Sequence, residues 1–282
     1  MRWKKIFGCI IALLLITLPV SAKNLVYIGE DDSDSTFVLD VWMDTDEIKP
    51  VAFSSGKKVT ILKNVFLSKY EVKFKDYDSS IPMSGLVDFD SMKVLSISEK
   101  MKWEFDEKGA DGFVYNAYLT KHYNEITARR PIVIKTNYLP KDRAPIWPIT
   151  TSGWVKVYER KDGSEAWTKP MSALLSEESG AELPSVRILV RRSDMADGLK
   201  KVTYSYEEYN PVTKTRIPLN VWNENKEPLA FMAKDAFPVA ILSKDAAIAT
   251  EAYVPFIKNP TNRKTFKIDD PIAEIPLEWL EF

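Results

Sequence analysis

Val186, Ile188 and Val190 fall on one side of an extended chain and Arg187 and Arg191 on the other, a period of two that a helix cannot use. The same period places Met101, Trp103 and Phe105 opposite Lys102, Glu104 and Asp106. Further short runs rich in β-branched and aromatic residues are VTILKNVFL (59–67), MKVLSI (92–97), PIVIKT (131–136), WVKVYE (154–159) and KVTYSYEEY (201–209), each bounded by polar clusters. Such alternation predicts antiparallel sheets with one buried and one wet face. Helical signals are fewer. Leu242, Ala246, Ala249 and Tyr253 form a stripe behind Ser243, a candidate N-cap, and a second short helix is expected near residues 111–123.

What must hold those strands together follows from the N-terminus. Arg2, Lys4 and Lys5 precede an apolar run from Ile6 to Leu18, and Val20-Ser21-Ala22 supplies small residues at its exit. This is the pattern of a secretory signal peptide cleaved before Lys23. The run is short for a membrane span, and Cys9 sits at its start rather than at the cleavage point, so lipid anchoring is not expected. Cleavage would take away three basic residues and the only cysteine, leaving 36 basic and 40 acidic residues, a net charge of −4. An exported chain without cysteine has no disulfides, so about 260 residues must rely on burial and strand pairing. Mild acidity with interspersed signs argues against nucleic acid as a partner. No Asn-x-Ser/Thr acceptor occurs, because Asn259 is followed by Pro260, which fits a bacterial envelope protein. No second long apolar run is present, so the mature chain is not expected to span a membrane.

The expected class is α+β: two similar domains dominated by antiparallel β-sheet, each with a short helix near its C-terminal end. The expected boundaries are 1–22 for the signal peptide, 23–123 and 153–257 for the domains, 124–152 for a connector and 258–282 for a C-terminal tail. Pro131, Pro140, Pro145 and Pro148 mark the connector. The tail is also proline-rich and ends PLEWLEF, too apolar to stay in water, so it should pack on the body or on a partner. An internal repeat underlies the pairing of halves. VYIGEDDSDS (26–35) aligns with VKVYERKDGS (155–164) at an offset of 129. VTIL (59–62) aligns with VRIL (186–189) at 127, and residues 89–109 align with 206–226 at 117.

This order of elements resembles the surface-adhesin protein E family of small exported bacterial domains. Its members open with an aromatic residue before Val-x-Val, pass through a polar turn to an aromatic strand, and close with Trp/Tyr-x-x-Asp-x-x-Gly before a short helix. Here GWVKVYERKDGSEAW and MKWEFDEKG carry those features, over roughly 24–123 and 153–257, without the paired cysteines some members have. The resemblance implies a small antiparallel sheet with packed helices, and host or matrix binding rather than catalysis.

Catalytic chemistry finds little support. One histidine, His122, and no Gly-x-Ser-x-Gly leave no nucleophile–base pair, and His122 reads as a surface or capping residue near a helix end. Zinc sites of the His/Cys kind are excluded, and ten glycines build no phosphate loop. Asp44-Thr45-Asp46 is followed by Glu47 where an aspartic protease needs glycine. Two acidic stretches, Asp31, Asp32 and Asp34, and Asp106, Glu107 and Asp111 around Gly109, could hold a hard cation or could be solvated turns. The repeat favours turns, since it replaces Asp31-Asp32 by Arg160-Lys161 and Gly109 by Lys226. Trp42, Trp103, Trp154, Trp167 and Trp222 are candidates for a carbohydrate or peptide surface, with core as the commoner role and Trp103 read as core.

The expected function is an exported, non-catalytic binding or interaction module of the bacterial cell envelope, with an adhesive role and a protein or extracellular-matrix partner. It would be periplasmic or extracellular, with no catalytic residue, no metal and no cofactor. The alternative is a periplasmic glycan hydrolase using a carboxylate pair. A third reading, a structural subunit of an envelope assembly, depends on whether the PLEWLEF tail docks in cis or in trans.

Overall fold

A computed structural model describes residues 23–34, 37–55, 57–75, 80–97, 103–106, 112–135, 147–177, 182–196, 198–230, 235–241, 243–268, 270–272 and 274–282. The proposed leader, Met101, Leu242, and the turn containing Glu107, Gly109 and Asp111 lie outside them, as do the side chains of Asp31, Asp32, Asp34, Trp103, Phe105 and Asp106. In chain order the first half comprises β1 (Leu25–Asp34), β2 (Phe37–Asp44), β3 (Lys49–Ser55), β4 (Lys58–Phe74), β5 (Ser80–Asp88), β6 (Lys93–Ile97), β7 (Trp103–Asp106), α1 (Phe113–Lys121), α2 (Tyr123–Ala128) and β8 (Ile132–Lys135). The second comprises β9 (Val155–Glu159), β10 (Glu165–Ser176), β11 (Val186–Ala196), β12 (Leu199–Asn210), β13 (Thr215–Trp222), β14 (Phe237–Pro238), α3 (Lys244–Lys258) and β15 (Thr265–Phe266). The class is α+β, mostly antiparallel, in two sheets. Among the described residues no helix is long and apolar enough to cross a membrane.

The two sheets run through one strand order. The first reads β1-β2-β4-β5-β6-β7, with β3 on β4 and β8 parallel to β3. The second reads β9-β10-β11-β12-β13-β14, with β15 parallel to the far end of β10. The long β10 therefore covers the ground of β2 and β3 together, and its register shift between Lys169 and Leu174 falls where the first half has a 3-10 turn at Thr45–Glu47. One turn anchors the comparison. Asp88 and Asn210 each close a hairpin by accepting backbone N–H groups, from Asp90 at 3.1 Å and from Val212 at 2.9 Å. Met92 and Lys214 then take the left-handed conformation, at φ 55° and 54°. Following the pairings outward from that turn makes Pro82 the counterpart of Tyr204, Glu71 of Arg191, Trp42 of Trp167 and Tyr27 of Lys156.

Each helix forms where its sequence allows. Ser243 caps α3 by accepting from the Ala246 N–H at 3.0 Å, and Ala246, Ala249 and Tyr253 are buried. Burial of α3 extends around most of its circumference, to Ile248, Glu251, Val254 and Ile257, because it is sandwiched rather than laid on a surface. Its neighbours are its own sheet and α1. The interface holds the buried hydrogen bond from Asn116 Nδ2 to the Thr250 carbonyl, 2.9 Å, and the ring contacts of Phe113 with Tyr253 and Tyr209. Tyr115 of α1 stacks on Phe89 of the first half, so one continuous core runs from sheet to sheet through the helices. Residues 124–152 contain most of α2 and all of β8, which pairs with β3 and so belongs to the first sheet.

The alternation of β11 has a different outcome from the one expected. Val186, Ile188 and Val190 face the core, but Arg187 and Arg191 are also buried. Arg187 is ion-paired to Glu208 at 2.9 Å and stacked on Phe266 at 3.8 Å, and Arg191 is stacked on Phe282 at 3.8 Å. The outer face of the second sheet is not wet, because the chain beyond α3 returns to cover it.

Candidate functional site

The cover is the segment 274–282, and beneath it lies an aromatic cluster separate from the main core. The pairings set Trp222, Tyr204, Arg191 and Trp167 in one row across β13, β12, β11 and β10, with Lys156 of β9 at its end. The next row holds Tyr206, Leu189 and Lys169. Period-two alternation sends all of these to the face away from α3. Trp154, just before β9, completes a groove with an apolar floor and basic side chains along it.

Into this groove the segment places a short 3-10 turn, Leu277–Leu280, so that Leu280 is fully buried. Phe282 meets Trp167 edge-on with ring centres 4.9 Å apart, and Trp154 at 6.2 Å. Two hydrogen bonds read the backbone rather than the side chains. Trp154 Nε1 donates to the Glu281 carbonyl at 2.6 Å, and Lys169 Nζ donates to the Trp279 carbonyl at 2.8 Å. Burial pulls the Lys169 ammonium below its ordinary pKa, and Glu281 offsets this only in part. An aromatic floor, backbone hydrogen bonds and one buried aliphatic anchor are the means by which folds hold extended peptides.

The expected aromatic candidates divide accordingly. Trp154, Trp167 and Trp222 come together here, whereas Trp42 lies on the first sheet beside Tyr27, ring centres 4.9 Å apart. Tyr204, Tyr206, Arg191 and Lys169 were not singled out from sequence. The signal that could have found them is the two-residue step Tyr204/Tyr206, once the neighbouring strand carries Arg191 and Leu189. His122 ends α1, contacts Glu125 at 3.2 Å and stacks on Tyr118. Among the described residues no group of three His, Cys, Asp or Glu side chains is placed to hold a metal. The acidic stretch after Gly29 is the β1–β2 hairpin, with Asp34 opposite Phe37.

On the first sheet no described segment covers the equivalent face. A cleft of about 360 Å³ is lined by Asp44, Lys69, Glu71 and Pro82, counterparts of Lys169, Leu189, Arg191 and Tyr204, together with Lys23, Asp46 and Glu47. Lys23 pairs with Glu71, and Lys69 and Lys49 pair with Glu47 at 2.7 and 3.1 Å. Lys69 first, then Lys49, hold the Glu47 carboxyl below its usual range.

Behind the tail groove, on the core face, lies a buried charge cluster. Glu207 accepts from Arg192, from Tyr209 Oη at 2.6 Å and from Ser205 Oγ at 2.7 Å, while Asp245 in the first turn of α3 accepts from Arg192 and Arg216, both at 2.8 Å. The counterparts of Arg192, Glu207, Tyr209 and Arg216 in the first half are Val72, Gly85, Val87 and Val94, so the cluster belongs to the second sheet alone. No family model matches the chain, and no curated protein and no solved structure matches it.

Proposed function

We propose that the chain is an exported, non-catalytic binding module of the bacterial cell envelope whose recognition surface is the aromatic groove of the second sheet. The observation that carries this reading is the seating of Phe282 and Leu280 against Trp154, Trp167 and the sheet aromatics, because it is a peptide-in-groove contact made within one chain. The partner is a protein segment, from the envelope or from host matrix, that takes the place of residues 274–282. The shared strand order supports descent of the two halves by duplication, with one outer face kept as a groove for the tail and the other covered by no described segment. An adhesive role and a periplasmic or extracellular location rest on the leader-like N-terminus and on the resemblance to surface-adhesin domains.

A carboxylate-pair glycan hydrolase is the second reading, and the cleft with Asp44, Asp46, Glu47 and Glu71 is what favours it. A glycosidase acid needs a raised pKa, and Glu47 is held low instead. The test compares the chain of residues 23–282 with a tail-release form, Leu280→Ala/Phe282→Ala, against purified envelope and matrix proteins. Binding at least tenfold tighter by the tail-release form, lost on Trp154→Ala, supports the module. Reducing sugar released from a glycan by both forms, and lost on Glu71→Gln, would support the hydrolase.

A further inference from the structure

Arg191 is buried to more than nine tenths, yet among the described residues its Nε and Nη1 have no hydrogen-bond partner. A guanidinium carries five donors and cannot shed its charge, so leaving two of its nitrogens dry and unpaired is costly. On this face its guanidinium lies over the Phe282 ring, 3.8 Å away. Cation–π attraction satisfies none of those N–H donors, as a carboxylate would. The same position in the first sheet is treated differently: Glu71, the counterpart of Arg191, is ion-paired to Lys23, which lies just ahead of β1. In the second sheet the segment 274–282 lays a ring on Arg191, and among the described residues no carboxylate is ion-paired to it. Phe282 itself is 49% exposed, whereas Leu280, two residues earlier, is fully buried, so the Phe282 end of the groove is open to solvent.

We infer that the Phe282 subsite, formed by Trp154, Trp167 and Arg191, is built for an aromatic residue accompanied by a carboxylate on a partner polypeptide, and that Phe282 fills only the aromatic half. The occupant is an extended acidic–aromatic segment. Its ring takes the place of Phe282 between the two tryptophans, and its carboxylate pairs with Arg191. Lys169, on this face over the Trp154 ring, adds to the preference for acidic over basic segments, whereas Lys156 is already paired with Glu159 and Glu165. The inference rests on the reading of the groove as a peptide site, and it adds that the chain's own tail is an incomplete ligand, displaceable by one that completes Arg191.

The test uses the full chain and two fluorescent peptides, both N-acetylated and C-amidated. One copies residues 275–282, IPLEWLEF, and the other adds a single aspartate after the phenylalanine. Polarisation titrations should show the extended peptide binding about tenfold tighter. In an Arg191→Met chain that advantage should vanish, the two peptides then binding within threefold of each other. Equal affinity of the two peptides, or an advantage that survives Arg191→Met, overturns the role of Arg191 and leaves the groove reading intact. Binding of neither peptide, to the full chain or to a Leu280→Ala chain that melts cooperatively, overturns the groove reading and this inference with it.

Discussion

Arg192 lays both terminal nitrogens of its guanidinium on the two carboxylate oxygens of Glu207, in a fork closed on every side by protein. The pair bridges β11 and β12 and reaches, through Arg192, to Asp245 on α3. It therefore fastens the helix start to the sheet whose other face carries the tail groove. Removing one partner of such a pair strands a buried charge, which costs about 3–5 kcal/mol. Glu207→Gln should lower the denaturation midpoint accordingly. The double variant Glu207→Gln/Arg192→Met should recover a substantial part of the loss, measured by urea unfolding. A double variant that loses the sum of the Glu207→Gln and Arg192→Met losses would show that the pair is not coupled.

Acid stability has a defined window. Burial pushes the Glu207 carboxyl up, but Arg192 outweighs it and the folded value is held at about 2. The unfolded carboxyl takes up its proton near pH 4.3. Below that the unfolded chain binds the extra proton, so stability falls as pH drops from about 4.3 towards 2, by an amount on the order of 3 kcal/mol when complete. Glu207→Gln should flatten that limb of a plot of Tm against pH.

Glu251 acts in the opposite sense. Burial within α3 raises its carboxyl to about 7, with Lys258 pulling back only in part. The folded chain then holds a proton that the unfolded chain loses near pH 4.3, so stability falls as pH rises from about 4.3 to 7 and levels off above. Glu251→Gln should raise Tm by several degrees at pH 8 and leave it nearly unchanged at pH 4. A Tm gain of the same size at both pH values would show that the carboxyl is not titrating in the fold.

The indole of Trp154 holds the segment by its N–H as well as by its ring. Trp154→Phe keeps the ring and removes one buried hydrogen bond, worth about 1 kcal/mol. Protease cleavage within residues 274–282 should speed up roughly fivefold while the melting temperature of the body changes by no more than a degree or two. Unchanged cleavage would mean that the hydrogen bond does not hold the segment.

The sequence shows the strands well and the site poorly, for one physical reason. Alternation reveals which residues share a face but not what covers the face. Val186, Ile188 and Val190 were legible as core, and Ser243 as the cap of α3, because both signals are local. The fate of Arg187 and Arg191 was not, because Phe266 and Phe282, which stack on them, lie some 80 to 90 residues later. The alignment at 129 pairs Tyr27 with Lys156, as the strand pairings do, whereas the alignments at 127 and 117 pair other residues than the pairings, which separate Glu71 from Arg191 by 120 and Pro82 from Tyr204 by 122. A single bulge or loop residue moves such an offset without altering the pairing, so sequence periodicity alone does not fix it. The aromatic groove required knowing that β10, β11, β12 and β13 are adjacent in that order.

The central claim is that residues 274–282 are a ligand of the second sheet rather than part of its fold. The most direct measurement titrates the peptide IPLEWLEF into the Leu280→Ala/Phe282→Ala chain and follows tryptophan emission. The account predicts one saturable site, with the intact chain at least tenfold weaker because its own segment competes, and a cooperative melt for both proteins. Absence of binding to the tail-release chain, equal binding by both chains, or loss of the cooperative melt on release would contradict it.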